Sequence, residues 1–537
     1  MNAAIENCVI ARFFRTLSCI WGSSVSKKPA DRLSRLFSRS RLWAMLSGLL
    51  GSDGRWTGAS LLRRFLDSVN AALWRLGRLL LPVWNGCLPV RVLRAIRRSA
   101  AVRGSVVLGE VFCPGLRTTI IYLFALYLPI DWALRDVVSW SAAASVWDEA
   151  FLFLTALYTI CDRMFSSRPR ESVTTPLDGA IILFLGVGAA LMTVISPRFY
   201  IAFQGYRATV QYLLWFFLLV RLFDNRNRVF ALYRALIILA VLIALHGIYQ
   251  FIAAVPIPSH WQTSTEVAVR TRVYSIFGSP NIMGSFMVMF APMSAALAYS
   301  SKQLQFKLAA WACTGVMCFA CLFTFSRGAW LGMGVAILIF SVLVDRKLLL
   351  LMLIGEACAM CVPDVYNRIA FLFTEQFAEA SAAGGRQARW AIGMKLLHED
   401  HPFLGFGLGR YGGAVAMNNK VETRFQYYYL DNYYMRILVE MGYSGLGAYL
   451  LMMFSNVFTA LRSIFRTFKT DRAAAVMCSG MLSGMAGVLV HCLYENIFEE
   501  PYMMAYFWAI AAMTVFFGFL EKNATTRGLS AEGGKKI

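Results

Sequence analysis

The sequence predicts an all-α membrane protein of about twelve transmembrane helices, with one long extracytoplasmic loop and a basic N-terminal cytoplasmic segment. Three observations predict it. The 537 residues are 58% hydrophobic and only 15% charged, against about 25% charged in soluble domains. Apolar runs of roughly 17–25 residues, long enough to cross a hydrocarbon core, recur along the chain. Basic residues concentrate in alternate loops between those runs. The short alternating segments of an outer-membrane barrel do not occur.

The first segment, residues 1–116, lies ahead of the apolar runs. Residues 1–110 carry 18 Lys and Arg against 5 Asp and Glu, a local excess of +13 within a net +22. Attached to a membrane body, such a segment points to anionic membrane lipids rather than nucleic acid as its partner. Within it, "DRLSRLFSRSRLWAMLSGLL" sets arginines among Leu, Phe and Trp at helical spacing, as in a surface-lying amphipathic helix or a basic tail. The stretch from Ile10 to Trp21 is broken by Arg12 and Arg15, and no cleavable signal peptide is expected.

The candidate spans are 118–134, 143–160, 179–196, 208–223, 229–252, 281–300, 308–325, 328–344 and 347–363, then 432–458, 474–490 and 502–520. Nine thus fall in residues 117–363. Three, with the tail, fall in residues 432–537, and residues 364–431 form the long loop. With the N-terminus cytoplasmic, the inner loops hold fourteen basic residues, from Arg163 to Arg472, and the short outer loops hold six. That asymmetry places both termini in the cytoplasm. The long loop is no polar linker. Trp390, Met394 and Leu397 share a helical face, and a Gly-rich turn follows Pro402, so a short amphipathic helix plus loop on the membrane surface is expected.

Twelve cysteines include two CxxC pairs, Cys318/Cys321 and Cys358/Cys361, inside apolar runs without His or Asp nearby. They read as small packing residues. "HEDH" at 398–401 lacks the HExxH spacing and is ended by Pro402. No metal or other cofactor is expected. Glu356 and Glu440 lie within apolar spans and are expected to face the bundle interior. Glu495, Glu499 and Glu500 read as loop residues or arginine partners, and Tyr427, Tyr428 and Tyr429 as residues able to stack on sugar rings.

Arginine dominates the outer face, where topology disfavours it: Arg207, Arg272, Arg327, Arg386 and Arg389, with Asp431 opening the tenth span. A guanidinium is permanently charged and grips phosphate oxygens in pairs. Arginines beside apolar helices suit an anion with a greasy remainder, a lipid phosphate or diphosphate. Each one alone can equally be an interfacial anchor.

Four stretches, in order, resemble the O-antigen ligase and polymerase superfamily. "RVYSIFGSPNIMGSFMVMFAP" is similar to its "R…FGNPN…A…P" and "TFSRGAWLG" to its "T-S-R-G-A-W-L-G". "GRQARWAIGMKLLHEDHPFLGFGLGRYG" resembles its third element, and "DNYYMRILVEMGYSGL" its "HN.yl..l.e.G..Gl". The resemblance covers roughly residues 200–450. It implies a metal-free glycosyltransferase that moves a saccharide from undecaprenyl diphosphate to an acceptor hydroxyl of a glycan or glycolipid outside the cytoplasm. It implies too that Arg207, Arg272 and Arg327 hold the diphosphate. The histidine that activates the acceptor in the ligases falls on Asp431, which leaves ligase and polymerase both open. A carboxylate can take that proton. The alternatives are a transporter of an anion or lipid-linked sugar, whose charges would sit near the midplane, and a non-catalytic scaffold.

Overall fold

The computed structural model describes residues 61–88, 91–92, 95, 116–166, 172–195, 197–257, 271–382, 385–399, 401–419 and 429–521. The expected helix within 31–50 lies outside them, as do Asp400, Tyr427, Tyr428 and the tail lysines. Among the described residues the fold is all-helical, with no strand.

Helix α1 is Leu61–Gly86. The first apolar run becomes α2, Leu116–Ala125, and α3, Tyr127–Trp132. There follow α4, Trp147–Met164; α5, Asp178–Val194; α6, Phe199–Val210; and α7, Leu214–Leu222. Next come α8, Arg226–Ile252; α9, Pro280–Ser300; α10, Leu304–Phe323; and α11, Arg327–Leu343. Then α12, Lys347–Met360, turns by 92° into α13, Pro363–Ala370, at a proline. The long loop holds α14, Glu375–Ala382; α15, Arg386–Glu399; and α16, Ala414–Asn419. The chain closes with α17, Tyr433–Phe468; α18, Arg472–His491; and α19, Pro501–Val515.

Each of the twelve apolar runs is helical, yet among the described residues six helices are long and apolar enough to cross a membrane by themselves, and the bent pair makes a seventh. The runs at 118–134 and 208–223 are each divided into two short helices, and α5 and α11 are shorter apolar helices. Hydropathy alone does not register such breaks.

The centre is α9, α18 and α19, whose apolar windows are 89%, 72% and 83% buried inside the protein, whereas that of α10 is 17% buried. Small residues let α18 enter. A Cβ on Gly484 would stand 2.1 Å from the Met289 carbonyl oxygen, and one on Gly487 2.6 Å from that of Gly332. Backbones meet where side chains are absent, as membrane helices require when lipid offers no hydrophobic drive. On the periphery, α12 buries no residue; Glu356, Cys358 and Cys361 are exposed on it, not interior as the sequence suggested. The bundle reaches α12 through α11, where a Cβ on Gly334 would stand 3.8 Å from Glu356 Oε1, and most of α12 is left uncovered.

The long loop is also more buried than its sequence suggests. Gly442 interrupts α17 at φ 66°. The Gly-rich turn fills the gap: Phe406 and Gly407 amides donate to the Val439 and Glu440 carbonyls at 2.8 and 3.1 Å. In return, the Tyr443 and Ser444 amides donate to the Pro402 and Phe403 carbonyls at 3.0 and 3.1 Å. Gly405, at φ 87°, lies so close that its Cβ would be 2.5 Å from the Gly442 nitrogen. Phe406, Leu408 and Tyr411 are buried, and the Tyr411 amide donates to the Glu440 carboxylate at 3.1 Å. Glu440 therefore does face inward, where it pairs with Arg436 at 3.5 Å and anchors the loop.

Candidate functional site

Helix α18 separates two ends of the bundle. Its N-cap Asp471 pairs with Arg226 at the start of α8; its last residue, His491, lies against Gly328 at the start of α11. At the His491 end four helix N-termini gather. Ser279 caps α9 and is followed by Pro280, which suits a first helical turn. Ser326 caps α11, Asn432 caps α17, and α15 opens at Arg386. Unpaired amides and the helix dipole make such ends attractive to anions.

The turn carrying Arg327 is built by two other arginines. Thr324 and Phe325 end α10, Phe325 at φ 50°. Arg272 Nε donates to the Thr324 carbonyl at 3.1 Å, and Arg368 Nε to the Phe325 carbonyl at 2.6 Å. Both arginines are buried, and both satisfy carbonyls that α10 leaves without helical partners. Ser326 then starts α11. The sequence placed Arg327 at a turn between two spans, and it is the first residue of α11; its guanidinium stands 5.3 Å from the Phe377 ring on α14.

Asp431 sits one residue before the cap of α17. The side chain that accepts the first-turn amide is that of Asn432, from Met435 at 3.0 Å. Asp431 is thus not the cap. Its Oδ2 meets Arg389 Nη2 at 3.0 Å and Arg386 Nε at 3.3 Å. These two arginines lie three apart on α15 and share a face. Arg389 also donates to the Tyr429 carbonyl at 2.8 Å, which fixes α15 over the entrance to α17.

Beside this group lies Glu495, in the turn between α18 and α19, 4% exposed. Burial and the Asp431 charge push its carboxyl up to about 7, against the pull of the Asn496 amide, Asn281 and Arg386. Asn281 Nδ2 donates to Glu495, and Arg272 Nη2 donates to the Asn281 oxygen at 3.3 Å. A connected set thus runs from Arg272 through Asn281 to Glu495, with the Asp431, Arg386 and Arg389 triad next to it. A carboxylic acid held near neutrality can take up or release a proton at working pH.

The remaining sequence candidates fall elsewhere. Arg207, half-exposed on α6, forms an ion pair with Glu149 of α4, not with the Asp431 group. Arg436 and Glu499 form a separate buried pair at 3.2 Å that also holds the Gly-rich loop, the Ala414 amide donating to Glu499 at 2.6 Å. Sequence reasoning passed over Arg368, Asn281 and the special position of Glu495. The i, i+3 spacing of Arg386 and Arg389 was a usable signal. Glu495 gave none, because its significance lies in partners more than sixty residues away.

No curated protein matches the chain. A family model does match, over residues 312–450, and its description is O-antigen ligase. The matched stretch contains Arg327, Arg368, Arg386, Arg389, Asp431 and the loop-stapled break of α17, but neither Arg272 nor Glu495. Residues 312–450 are thus similar to an O-antigen ligase domain, which supports the resemblance to the O-antigen ligase and polymerase superfamily.

Proposed function

We propose that this membrane glycan transferase of the ligase or polymerase type moves a saccharide from undecaprenyl diphosphate to a hydroxyl of a glycan or glycolipid acceptor. In this reading the reaction takes place on the extracytoplasmic face of the bacterial inner membrane. The observation that carries the reading is the Asp431 group: two guanidiniums on one carboxylate, with the buried Glu495 alongside, where four helix N-termini converge.

The chemistry follows from the leaving group. The acceptor oxygen attacks the anomeric carbon, its proton passes to a carboxylate, and the bond from that carbon to the phosphate oxygen breaks. The electron pair leaves with the diphosphate. Guanidiniums already in place stabilise that charge without reorganising, so Arg272, Arg327 and Arg386 serve as diphosphate ligands and no metal is required. Arg207 joins them only by exchanging Glu149 for phosphate. Asp431 is the carboxylate the family's histidine position indicates, but it is already engaged by Arg386 and Arg389. Glu495, held near 7, is the better acceptor, and Asp431 sets its proton affinity and its geometry.

The topology that goes with this reading has twelve spans and both termini cytoplasmic. Residues 1–116 form a basic segment against anionic membrane lipids, and residues 364–431 lie outside. In a transporter the charges would be expected near the midplane of broken helices; here they gather at one end. The test is purified protein in lipid nanodiscs with an undecaprenyl-diphosphate saccharide, an acceptor glycan and excess EDTA. Glycan product is expected with chelator present and lost in Glu495→Gln. Movement of the lipid-linked sugar across a vesicle bilayer without any product would support transport and sink the transferase.

A further inference from the structure

At the other end of the bundle, α1 is a helix with two apolar faces. At 100° per residue, Leu66, Asn70, Leu73 and Gly77 form one face. A Cβ on Gly77 would overlap the Met164 carbonyl at 2.0 Å, so this face meets the end of α4 backbone to backbone. Among the described residues, α1 bonds to one short stretch of the bundle. Asp67 accepts from the Ser172 amide, Asn70 accepts from Arg163 at 2.6 Å, and Trp74 donates to the Ser166 carbonyl at 3.2 Å. The Trp84 ring stacks on Phe165 at 4.2 Å. A helix of 26 residues lying alongside α4 would touch it over its length. These hydrogen bonds and the Trp84 stack all fall at the end of α4 and the turn after it, so α1 crosses that end, as an interfacial helix does.

Its second face is exposed. Phe65, Leu76, Leu79 and Val83 fall in one stripe and are 64%, 47%, 78% and 66% exposed. Arg64, Arg75 and Arg78 follow on the adjacent side, against a single acid, Asp67. Between α1 and the bundle lies a cavity of about 140 Å³, with Leu66, Leu73 and Ile160 on its walls and Arg163 and Arg221 among its polar lining. Arg221 donates to the Phe217 carbonyl at 2.7 Å. Among the described residues no carboxylate lies within ion-pair distance of it. Asp178, whose field reaches it, is itself held by Thr175 at 2.6 and 2.8 Å.

We propose that this cavity is a binding site for an anionic phospholipid of the leaflet opposite the catalytic end. Its phosphate lies between Arg163 and Arg221, its acyl chains run along Leu66, Leu73 and Ile160, and the exposed stripe of α1 is immersed in the same leaflet. Guanidiniums at the mouth of an apolar crevice match a phosphate on a hydrocarbon stem, and the arginine-rich flank of α1 meets neighbouring headgroups. The site is separate from the donor site, since it lies at the other end of α4 from Glu149.

The test uses the full chain purified in neutral detergent and titrated with phosphatidylglycerol, phosphatidylcholine or inorganic phosphate, bound lipid being read by native mass spectrometry. Phosphatidylglycerol is expected to bind, and Arg221→Gln to weaken it roughly tenfold, the worth of one charge-assisted contact. Arg221 makes none of the hydrogen bonds that dock α1, so this variant keeps the cavity. Equal binding of phosphatidylcholine, or wild-type binding by Arg221→Gln, would overturn the site. Inorganic phosphate binding as tightly as the lipid would make it a free-anion site and overturn the lipid assignment. A benzophenone side chain placed at Leu79 is expected to cross-link lipid in phosphatidylglycerol vesicles; cross-links to protein alone would overturn the placement of α1.

Discussion

The two ends of the bundle handle arginine in opposite ways. At the Asp471 end, guanidiniums meet carboxylates. Arg117, buried at the start of α2, bridges Asp162 and Asp224, the latter at 2.6 Å; Arg228 also takes Asp224, and Arg226 takes Asp471 and Glu521. That end is a lattice of closed pairs that ties the starts of α2, α8 and α18 together. At the His491 end, Arg272 and Arg368 donate to carbonyls, Arg327 faces a ring, and two arginines share one aspartate. One end pairs its arginines with carboxylates of several helices; at the other, arginines also hold carbonyls, a ring and a shared aspartate. Charge in a membrane protein therefore has to be read by what it faces; the number of arginines at an end says little.

That contrast can be broken by substitution. The largest effect is expected from Arg327→Lys and from Glu495→Gln, each lowering transfer by about 10²–10³-fold, typical of losing one pre-placed group in such a site. Unchanged kcat in both would make the His491 end merely structural. A pH profile sharpens this. Glu495 acts as a base only when ionised, and its carboxyl is raised to about 7, so kcat/KM should fall as pH drops through about 7. Asp431 helps hold that value up, so Asp431→Asn should slow transfer and move the acid limb to lower pH. A limb that stays in place would return the proton to another group.

Gly442→Ala should weaken the fold itself, because a left-handed φ and a Phe403 carbonyl carbon 2.5 Å from the new Cβ both oppose it. Strain of this kind is worth on the order of 1–3 kcal/mol before any clash. Gly447→Ala, with open space around it, is the control, and thermal unfolding in detergent reads both. At the paired end, Arg117→Gln should lower stability by about 1–3 kcal/mol yet leave turnover per folded molecule unchanged. The smallest effect is expected from Arg207→Ala, since Arg207 is itself exposed; such surface pairs contribute about 0–1 kcal/mol. A loss of transfer as deep as that of Arg327→Lys would bring Arg207 back among the diphosphate ligands.

Much of this was legible in the sequence, for physical reasons. Each of the twelve apolar runs marked a helical region, since lipid demands them whatever the tertiary contacts, whereas α1 and the helices of the long loop lie outside those runs. The "SRGAW" turn placed Arg327 between helices because Ser caps and Gly packs locally. The splitting of the runs at 118–134 and 208–223 was hidden, since both halves are equally apolar. The buried Gly-rich loop was hidden too; five glycines in the nine residues 405–413 read as a turn, and only Gly442, three dozen residues on, reveals what the turn fills. Glu495 stood in plain view among three glutamates. What distinguishes it is Asn281 below and Asp431 beside it, and no local pattern encodes either.

The stapled break in α17 also limits how this domain can be recombined. Residues 402–407 and 439–444 share four backbone hydrogen bonds that neither segment can satisfy alone. A chimera that imports the loop from a similar domain while keeping the host helix would strand four amides and four carbonyls, unless the incoming turn carried the same glycine register. The exchangeable module is therefore the whole span from 402 to 444, with Asp431 enclosed inside it. A crossover placed between the loop and the helix would separate the acidic group from the scaffold that aims it, even when every residue of the site is retained.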